Sequence, residues 1–283
     1  MYYRIAGINI KFTGNNNELI PQLRGFSTFV SPPSKEDITI EVTDKYESNS
    51  ENTPVYSYSD NDFSYSSYSF DDERTMFNIE KLGTDFKLSV SHKKGDNIAT
   101  IGGNIELDIL LFATWLAYGI MVLPLNRIAI HSSTIEYKAK AVLCLGESGT
   151  GKSTHTRLWR ENIEGASLLN DDSPIIEVAG DKIYAHGSPW SGKTPCYKDR
   201  KVELIGAIRL AQAPYNKIEA EGVFRAFTSL YPSCPPAFAP VSYLNDQICD
   251  IISEILSKIK VWHLDCLPDR DACMLSKKTI FNE

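Results

Sequence analysis

In the stretch Ala141-Val142-Leu143-Cys144-Leu145-Gly146-Glu147-Ser148-Gly149-Thr150-Gly151-Lys152-Ser153, five apolar residues run straight into a glycine-rich turn that ends in Lys-Ser. The turn fits G-x-x-x-x-G-K-[ST] at every fixed position. Each fixed residue has a physical reason. Gly146, Gly149 and Gly151 accept backbone conformations that bulkier residues refuse, so successive N–H groups can converge on phosphate oxygens. The helix expected to start near Gly151 adds the positive end of its dipole to the same point. Lys152 neutralises β/γ-phosphate charge, and the Ser153 hydroxyl is of the kind that ligates Mg²⁺. A chance match in a Gly/Ser/Thr-rich turn is the alternative. The apolar strand before the turn and the helix-competent run after it favour a nucleoside triphosphate, held by residues Gly146 to Ser153 together with Thr154.

Such a site needs an acidic partner for its metal. Leu168-Leu169-Asn170-Asp171-Asp172 is an apolar run that ends in two carboxylates, followed by the chain-turning Ser173-Pro174. Asp171 and Asp172 are therefore candidates for holding Mg²⁺ and, for one of them, for accepting a proton from an attacking hydroxyl. Adjacent residues on a strand face opposite ways, so both can serve only where the strand ends. A solvated acidic turn is the competing explanation.

Around this core the chain divides into a β-rich domain at 1–104 and a P-loop kinase-like domain at 105–283. In the first, Ile5 to Phe12 and Asp37 to Val42 alternate as strands do, and Ser31-Pro32-Pro33-Ser34 marks a turn. Phe86 to His92 and Ile98 to Ile101 read as a hairpin turned by Lys94-Gly95-Asp96-Asn97. A Tyr/Ser/Asp/Asn-rich stretch from Tyr46 to Asp72 is either a disordered polar loop or a set of strands with one aromatic face. Its aromatic content favours strands for the latter part, with a loose loop from Glu47 to Asn52. In the second domain a helix is expected from Glu106 to Leu123. Strands follow at Arg127 to His131 and Ala139 to Leu145, joined through a Tyr137-Lys138 turn. Further strands are expected at Ile175 to Val178, Ile183 to Ala185 and Leu204 to Leu210, with an amphipathic helix over Ser242 to Ile259. The fold class is thus α/β, a mixed sheet around the P-loop with a smaller N-terminal β-rich unit.

The 283 residues carry a net charge of −7 and a pI near 5.4, without a Lys/Arg stripe, which argues against a nucleic-acid partner. Cys144, Cys196, Cys234, Cys249, Cys266 and Cys273 show no C-x-x-C spacing, so a zinc site is not expected. Met1-Tyr2-Tyr3-Arg4 does not open a signal peptide. Ile109 to Leu125 is uncharged but falls short of the roughly 20 residues of a spanning helix, and Gly119 and Pro124 interrupt it. A buried core helix, a cytoplasmic location and no membrane partner are the expectations.

The ordered pieces resemble the HPr serine kinase/phosphorylase family, whose nucleotide core is shared with the ATP-dependent phosphoenolpyruvate carboxykinases. The pieces are Ile130-His131-Ser132, the Gly146–Ser153 loop, the Asp171-Asp172 pair, and Gly187-Ser188-Pro189-Trp190 leading to Val202 through Ile208; Leu264 through Ala272 looks like the ending of stand-alone relatives. The resemblance implies that Asp171 and Asp172 bind Mg²⁺ and activate an acceptor hydroxyl, and that His131 lies near the transferred phosphate. A buried strand histidine is the plainer account of His131. Lys193 is a candidate second cation on the phosphates, or an exposed loop lysine. Where the family's bifunctional enzymes carry Glu-Ile-Arg-Gly-Leu-Gly, this chain has Glu203-Leu204-Ile205-Gly206-Ala207-Ile208. The arginine is missing, so phosphorylase activity and recognition of HPr are not implied.

The expected activity is transfer of the γ-phosphoryl group of Mg-ATP to a hydroxyl of a protein, peptide or small molecule, with Lys152, Asp171, Asp172 and His131 as catalytic residues. A nucleotide-binding regulatory protein without phosphotransfer and a carboxykinase-like enzyme are the alternatives. No N-K-x-D motif is found, which favours ATP over GTP. The N-terminal unit is expected to recognise the acceptor or to form a homo-oligomer contact.

Overall fold

Two separate sheets, each mixing parallel and antiparallel pairs, organise the computed structural model, which describes residues 1–48 and 52–283. Asn49, Ser50 and Glu51, inside the loop expected from Glu47 to Asn52, lie outside the described residues. Two compact units emerge. One comprises Met1–Leu125 with Pro236–Gln247, the other Asn126–Pro235 with Ile248–Glu283.

The first unit holds an eight-stranded sheet: β1 (Tyr2–Ile5), β2 (Ile8–Thr13), β3 (Ile38–Thr43), β4 (Tyr56–Ser59), β5 (Phe63–Ser69), β6 (Arg74–Lys81), β7 (Lys87–Lys93) and β8 (Ile98–Gly103), in the order β1-β2-β3-β8-β7-β6-β5-β4. Of the alternating stretch Ile5 to Phe12, Ile8 to Phe12 lies in β2 and Ile5 ends β1, the two strands forming a hairpin. Ala6 (φ 48°) and Gly7 (φ 79°) both adopt left-handed backbone and close a two-residue turn, whose twist suits a hairpin. The Tyr/Ser-rich stretch does form strands, but its aromatics divide between faces. Tyr58 lies opposite Tyr65, while Tyr68, an odd number of residues further along β5, points the other way. Helix α1 (Leu107–Val122) packs on β3, β7 and β8 and therefore belongs to this unit, although its sequence position places it in the second domain. With the turn that follows, Leu107–Leu125 reaches 19 residues, long and apolar enough by length and composition alone to cross a membrane; most of it is buried.

The second unit holds β9 (Arg127–Ala129), β10 (Ser132–Tyr137), β11 (Lys140–Leu145), β12 (Ser167–Asp172), β13 (Ile175–Ala179), β14 (Lys182–His186), β15 (Lys201–Gln212), β16 (Lys217–Ala220) and β17 (Lys260–Cys266). The helices are α2 (Lys152–Asn162), α3 (Val223–Leu230), α4 (Ser242–Lys258), which begins in the first unit, and α5 (Arg270–Phe281). The strand path is β12-β10-β11-β15-β14-β13-β9, with β17 added to the C-terminal half of β15 and β16 added to β17. β11, which feeds the glycine loop, pairs antiparallel with β10 and parallel with β15. The β10–β11 turn is Lys138-Ala139 (φ 49° and 56°), one residue later than the sequence suggests.

The two ends of that path are joined by the chain itself. β9 continues into β10 across Ile130-His131, and β12 continues into β13 across Ser173-Pro174. β10 pairs with β12 and β9 with β13, so these four strands form one antiparallel ribbon, interrupted where the sheet changes direction. Pro174 lacks an N–H and its carbonyl accepts from Ile130 N at 3.2 Å, which fits a break in both ladders at the same level. The break falls at Ile130-His131 on one strand pair and at Ser173-Pro174 on the other, directly after Asp172, the last residue of β12. Trp159 of α2 and Cys273 of α5 pack against Ile135 and Leu168 of the sheet, and Val142, Cys144, Ile208 and Ile280 form an adjoining cluster.

Candidate active site

β11 ends at Leu145, and Gly146 (φ 150°), Gly149 (φ 84°) and Gly151 (φ 105°) carry the chain round into α2. A Cβ on Gly146 would stand 2.3 Å from Thr150 Oγ1, so this position is glycine for space as well as for backbone angle. Thr150 holds the loop from inside, its hydroxyl donating to Glu147 O at 2.8 Å. The Lys152 ammonium donates to the carbonyls of Gly146 and Glu147 at 2.7 and 3.2 Å. Burial lowers the Lys152 pKa from its ordinary value; Asp172 opposes that shift, Arg209 adds to it, and Asp171 opposes it as well.

The acid pair is split in the way its strand-end position allows. Asp171 is buried, and the Ser153 hydroxyl donates to its two carboxylate oxygens at 3.1 and 3.4 Å. Asp172 faces the break in the ribbon, where its Oδ1 lies 3.0 Å from His131 Nδ1, with side chains 39% and 50% exposed. His131 is therefore not a buried strand histidine. It sits between β9 and β10, anchored by its backbone N–H to Ser233 O at 2.7 Å. A cavity of about 360 Å³ gathers His131, Lys152, Ser153, Asp171, Asp172 and Lys193.

Residues that the sequence did not single out hold this arrangement. Asn170 is fully buried; its amide donates to Ser188 Oγ at 3.2 Å and Trp190 O at 3.3 Å, and its Oδ1 accepts from Ser173 N at 2.9 Å. It thereby ties the end of β12 to the Gly187–Trp190 segment. Gly192 N donates to Asp171 O at 2.6 Å, and a Cβ at Gly192 would approach that oxygen to 2.7 Å. Close backbone approach brings the Lys193 loop against the acids.

Arg209 was also missed. The parallel register sets it opposite Leu145 at the mouth of the loop, where Nη2 lies 3.6 Å from Glu147 Oε1 and Nη1 donates to Ser229 O at 3.5 Å. No local motif marks it; only the parallel pairing of β15 with β11 brings it there. Gln212, further along β15, donates to Gly149 O at 3.0 Å. On that side a second cavity of about 500 Å³ shares Gly149, Gly151 and Thr154 with the first and is walled by Leu158, Leu210, Pro214 and Leu267. The loop thus borders a charged compartment and a largely apolar one.

The Ser153 hydroxyl and the Asp171 carboxylate together make an oxygen-only pair that fits Mg²⁺, which typically takes one or two carboxylates and completes its shell with phosphates and water. Among the described residues no group of three or more His, Cys, Asp or Glu is placed to hold a metal by protein ligands alone. No protein-family model matches the sequence, and no curated protein matches it. Among solved structures the chain is similar to the HPr(Ser) kinase/phosphatase from Coxiella burnetii, with 13% identity and a TM-score of 0.33 over 54% of this chain and 88% of that one. This is a distant structural resemblance and says nothing of activity.

Proposed function

We propose that the chain is a Mg-ATP-dependent kinase acting on a hydroxyl of a protein, peptide or small molecule, built on a P-loop core of the type shared by HPr serine kinases and phosphoenolpyruvate carboxykinases. The observation that carries this is the division of labour within one cavity: Asp171 bonded to Ser153 of the loop, and Asp172 paired with His131 at the ribbon break. Ser153 and Asp171 are the residues that would hold Mg²⁺, which when bound supplies positive charge to phosphate oxygens. The apolar compartment beside Gly149 suits the nucleoside end of ATP, since ligand pockets are mostly apolar with few polar anchors.

In the proposed reaction the acceptor oxygen forms a bond to the γ-phosphorus while the bond to the β–γ bridging oxygen breaks, and ADP leaves with that electron pair. The acceptor's proton passes to Asp172, whose orientation His131 fixes. Lys152, the loop N–H groups and Arg209 neutralise the charge spread over the phosphoryl oxygens.

Asp172→Asn keeps the size of the side chain and removes the base. Nucleotide affinity is expected to hold while transfer falls by about 10²–10⁴-fold. Asp171→Asn is expected to weaken nucleotide binding only when Mg²⁺ is present. Both are measured with γ-labelled ATP, following label into water and into a library of serine peptides and polyols. Transfer at the parent rate in both variants overturns the assignment. Tight Mg-dependent nucleotide binding with no transfer to any acceptor, in the parent chain, favours the regulatory alternative.

A further inference from the structure

The Tyr/Ser-rich stretch plays no part in the phosphate site, yet the structure gives it a shape. β4 (Tyr56-Ser57-Tyr58-Ser59) is the outermost strand of the first sheet, and all four of its residues are exposed. Among the described residues no strand pairs with its outer edge. Edges of this kind are usually blunted by Lys, Pro or a bulge, because alternate residues present unpaired N–H and C=O groups. β4 is short, four residues, but carries no Lys, Pro or bulge.

Beside that edge lies a cavity of about 280 Å³ within the first unit, walled by Tyr56, Tyr58, Tyr65 and Phe112, floored by Phe77 and touched by Asp60. The rings are organised against one another. Tyr58 stacks on Tyr65 with centroids 6.2 Å apart, and Phe112 meets Tyr65 edge-on at 6.0 Å. Tyr58 is 54% exposed, so its face is open to a ligand. Asp60 closes the β4–β5 hairpin, its Oδ1 accepting from the N–H groups of Asp62 and Phe63 at 2.8 and 2.7 Å. Burial raises the Tyr65 hydroxyl above its ordinary pKa, and the charge of Asp60 raises it further, so the field of that carboxylate reaches the cavity.

The charge here has one sign. From Tyr46 to Glu73 the sequence has seven Asp or Glu residues and no Lys or Arg. Glu47 and Glu73 are paired with Arg74 and Lys94, whereas Asp60 and Asp62 have no cationic partner among the described residues. Lys81, opposite Phe63, is paired with Glu106 at 3.1 Å. Aromatic faces around a carboxylate attract cations, through the ring quadrupole and through charge. The tyrosines of β4 share one face with Tyr65, while Ser57 and Ser59 face Ser66 and Ser64 on the other; tyrosine supplies contact area at low conformational cost.

We propose that β4 and this cavity form a docking site for an extended basic peptide, which adds a strand to β4 and places a lysine or arginine side chain among Tyr56, Tyr58, Tyr65 and Phe112, facing Asp60. Backbone hydrogen bonds along the edge supply affinity, and the aromatic cavity selects the cation. The proposal does not depend on the nucleotide site.

The test uses the full chain and a nine-residue peptide alternating Lys and Thr, with titration calorimetry and amide hydrogen exchange. Saturable binding is expected, with protection of the Tyr56–Ser59 amides. Affinity should fall at least tenfold with Tyr58→Ala or Asp60→Asn, and recover with Tyr58→Phe. The same peptide N-methylated at every second residue on its pairing edge should not bind. Unchanged thermal unfolding in the variants shows that they fold. The proposal is overturned if the methylated peptide binds as well as the parent, if Glu in place of Lys binds equally, if Tyr58→Ala leaves affinity intact, or if an oligosaccharide saturates the cavity where the peptide does not bind at all.

Discussion

At the scale of the residue, His155 shows how the loop helix is tied down. It sits one turn into α2 and is 3% exposed, with Nε2 3.1 Å from Ser276 Oγ on α5; the Trp159 indole donates to the same hydroxyl at 3.0 Å. Burial drives its pKa down to about 4. An unfolded chain protonates the ring near pH 6.5, the folded chain only near 4, so between these values the unfolded state binds more protons. Stability from this group is complete above pH 6.5 and is lost as pH falls through that window, by at most about 3 kcal/mol. Burial lowers His92 and His186 as well, which gives the same sign. Urea midpoints measured from pH 7 to pH 4.5 should fall steadily, and His155→Gln should flatten that slope whatever it does to stability at pH 7. An unaltered slope in the variant would remove His155 from the account. Residues that the structure gathers in one cavity were legible in sequence: Lys152 and Ser153 by their spacing in the glycine loop, Asp171 and Asp172 as two carboxylates at the end of an apolar run. Arg209 and Asn170 were not, since their importance arises only from pairing across the sheet and from a carbonyl cluster that folding assembles.

At the scale of the element, the hairpin that presents β11 turns through two non-glycine residues with positive φ, Lys138 at 49° and Ala139 at 56°. Left-handed backbone costs an L-residue about 1–2 kcal/mol, which glycine escapes. Ala139→Gly should therefore stabilise the chain by about 0.5–1 kcal/mol, part of the gain being lost to the greater freedom of glycine when unfolded. The check is the denaturation midpoint at constant m-value; a lower midpoint would mean the turn is not strained. The same hairpin explains an element missed in sequence. β10 reads Ser132-Ser133-Thr134-Ile135-Glu136-Tyr137 and is buried throughout, but its polar residues hide the strand. Ser133 bonds Thr156 of α2 at 2.9 Å and Glu136 is held by Arg200, so the polarity is satisfied from outside the strand. β6 was overlooked for a similar reason, Arg74-Thr75-Met76-Phe77-Asn78-Ile79 showing no clean alternation. The glycine loop and the Lys87–Gly103 hairpin carry their own turn chemistry, which is why they could be read directly.

At the scale of the whole molecule, the first unit is not a continuous piece of chain, for Pro236–Gln247 returns to it after the excursion through β9 to α3. Phe238 makes that return structural. It is 0% exposed, its ring lies 5.5 Å from Phe77 and 6.4 Å from Trp115, and a Cβ on Gly119 of α1 would meet it at 3.1 Å. Tyr243 adds a hydroxyl contact to Thr75 of β6 at 3.0 Å. A sequence boundary drawn between β8 and α1 cannot register this, because nothing local in Pro235-Pro236-Ala237-Phe238 announces which sheet it covers. Phe→Ala in a packed core costs about 3–5 kcal/mol, a large share of the stability of a small unit. Residues 1–125 alone should therefore lack fixed packing around Phe77 and Gly119, with far-ultraviolet dichroism retained and near-ultraviolet dichroism lost. The same fragment continued through a flexible Gly/Ser linker into 236–247 should regain cooperative thermal unfolding, and Phe238→Ala within it should abolish that gain. Cooperative unfolding of 1–125 alone, with the same enthalpy as the linked form, would show that the returning segment only decorates a unit already complete.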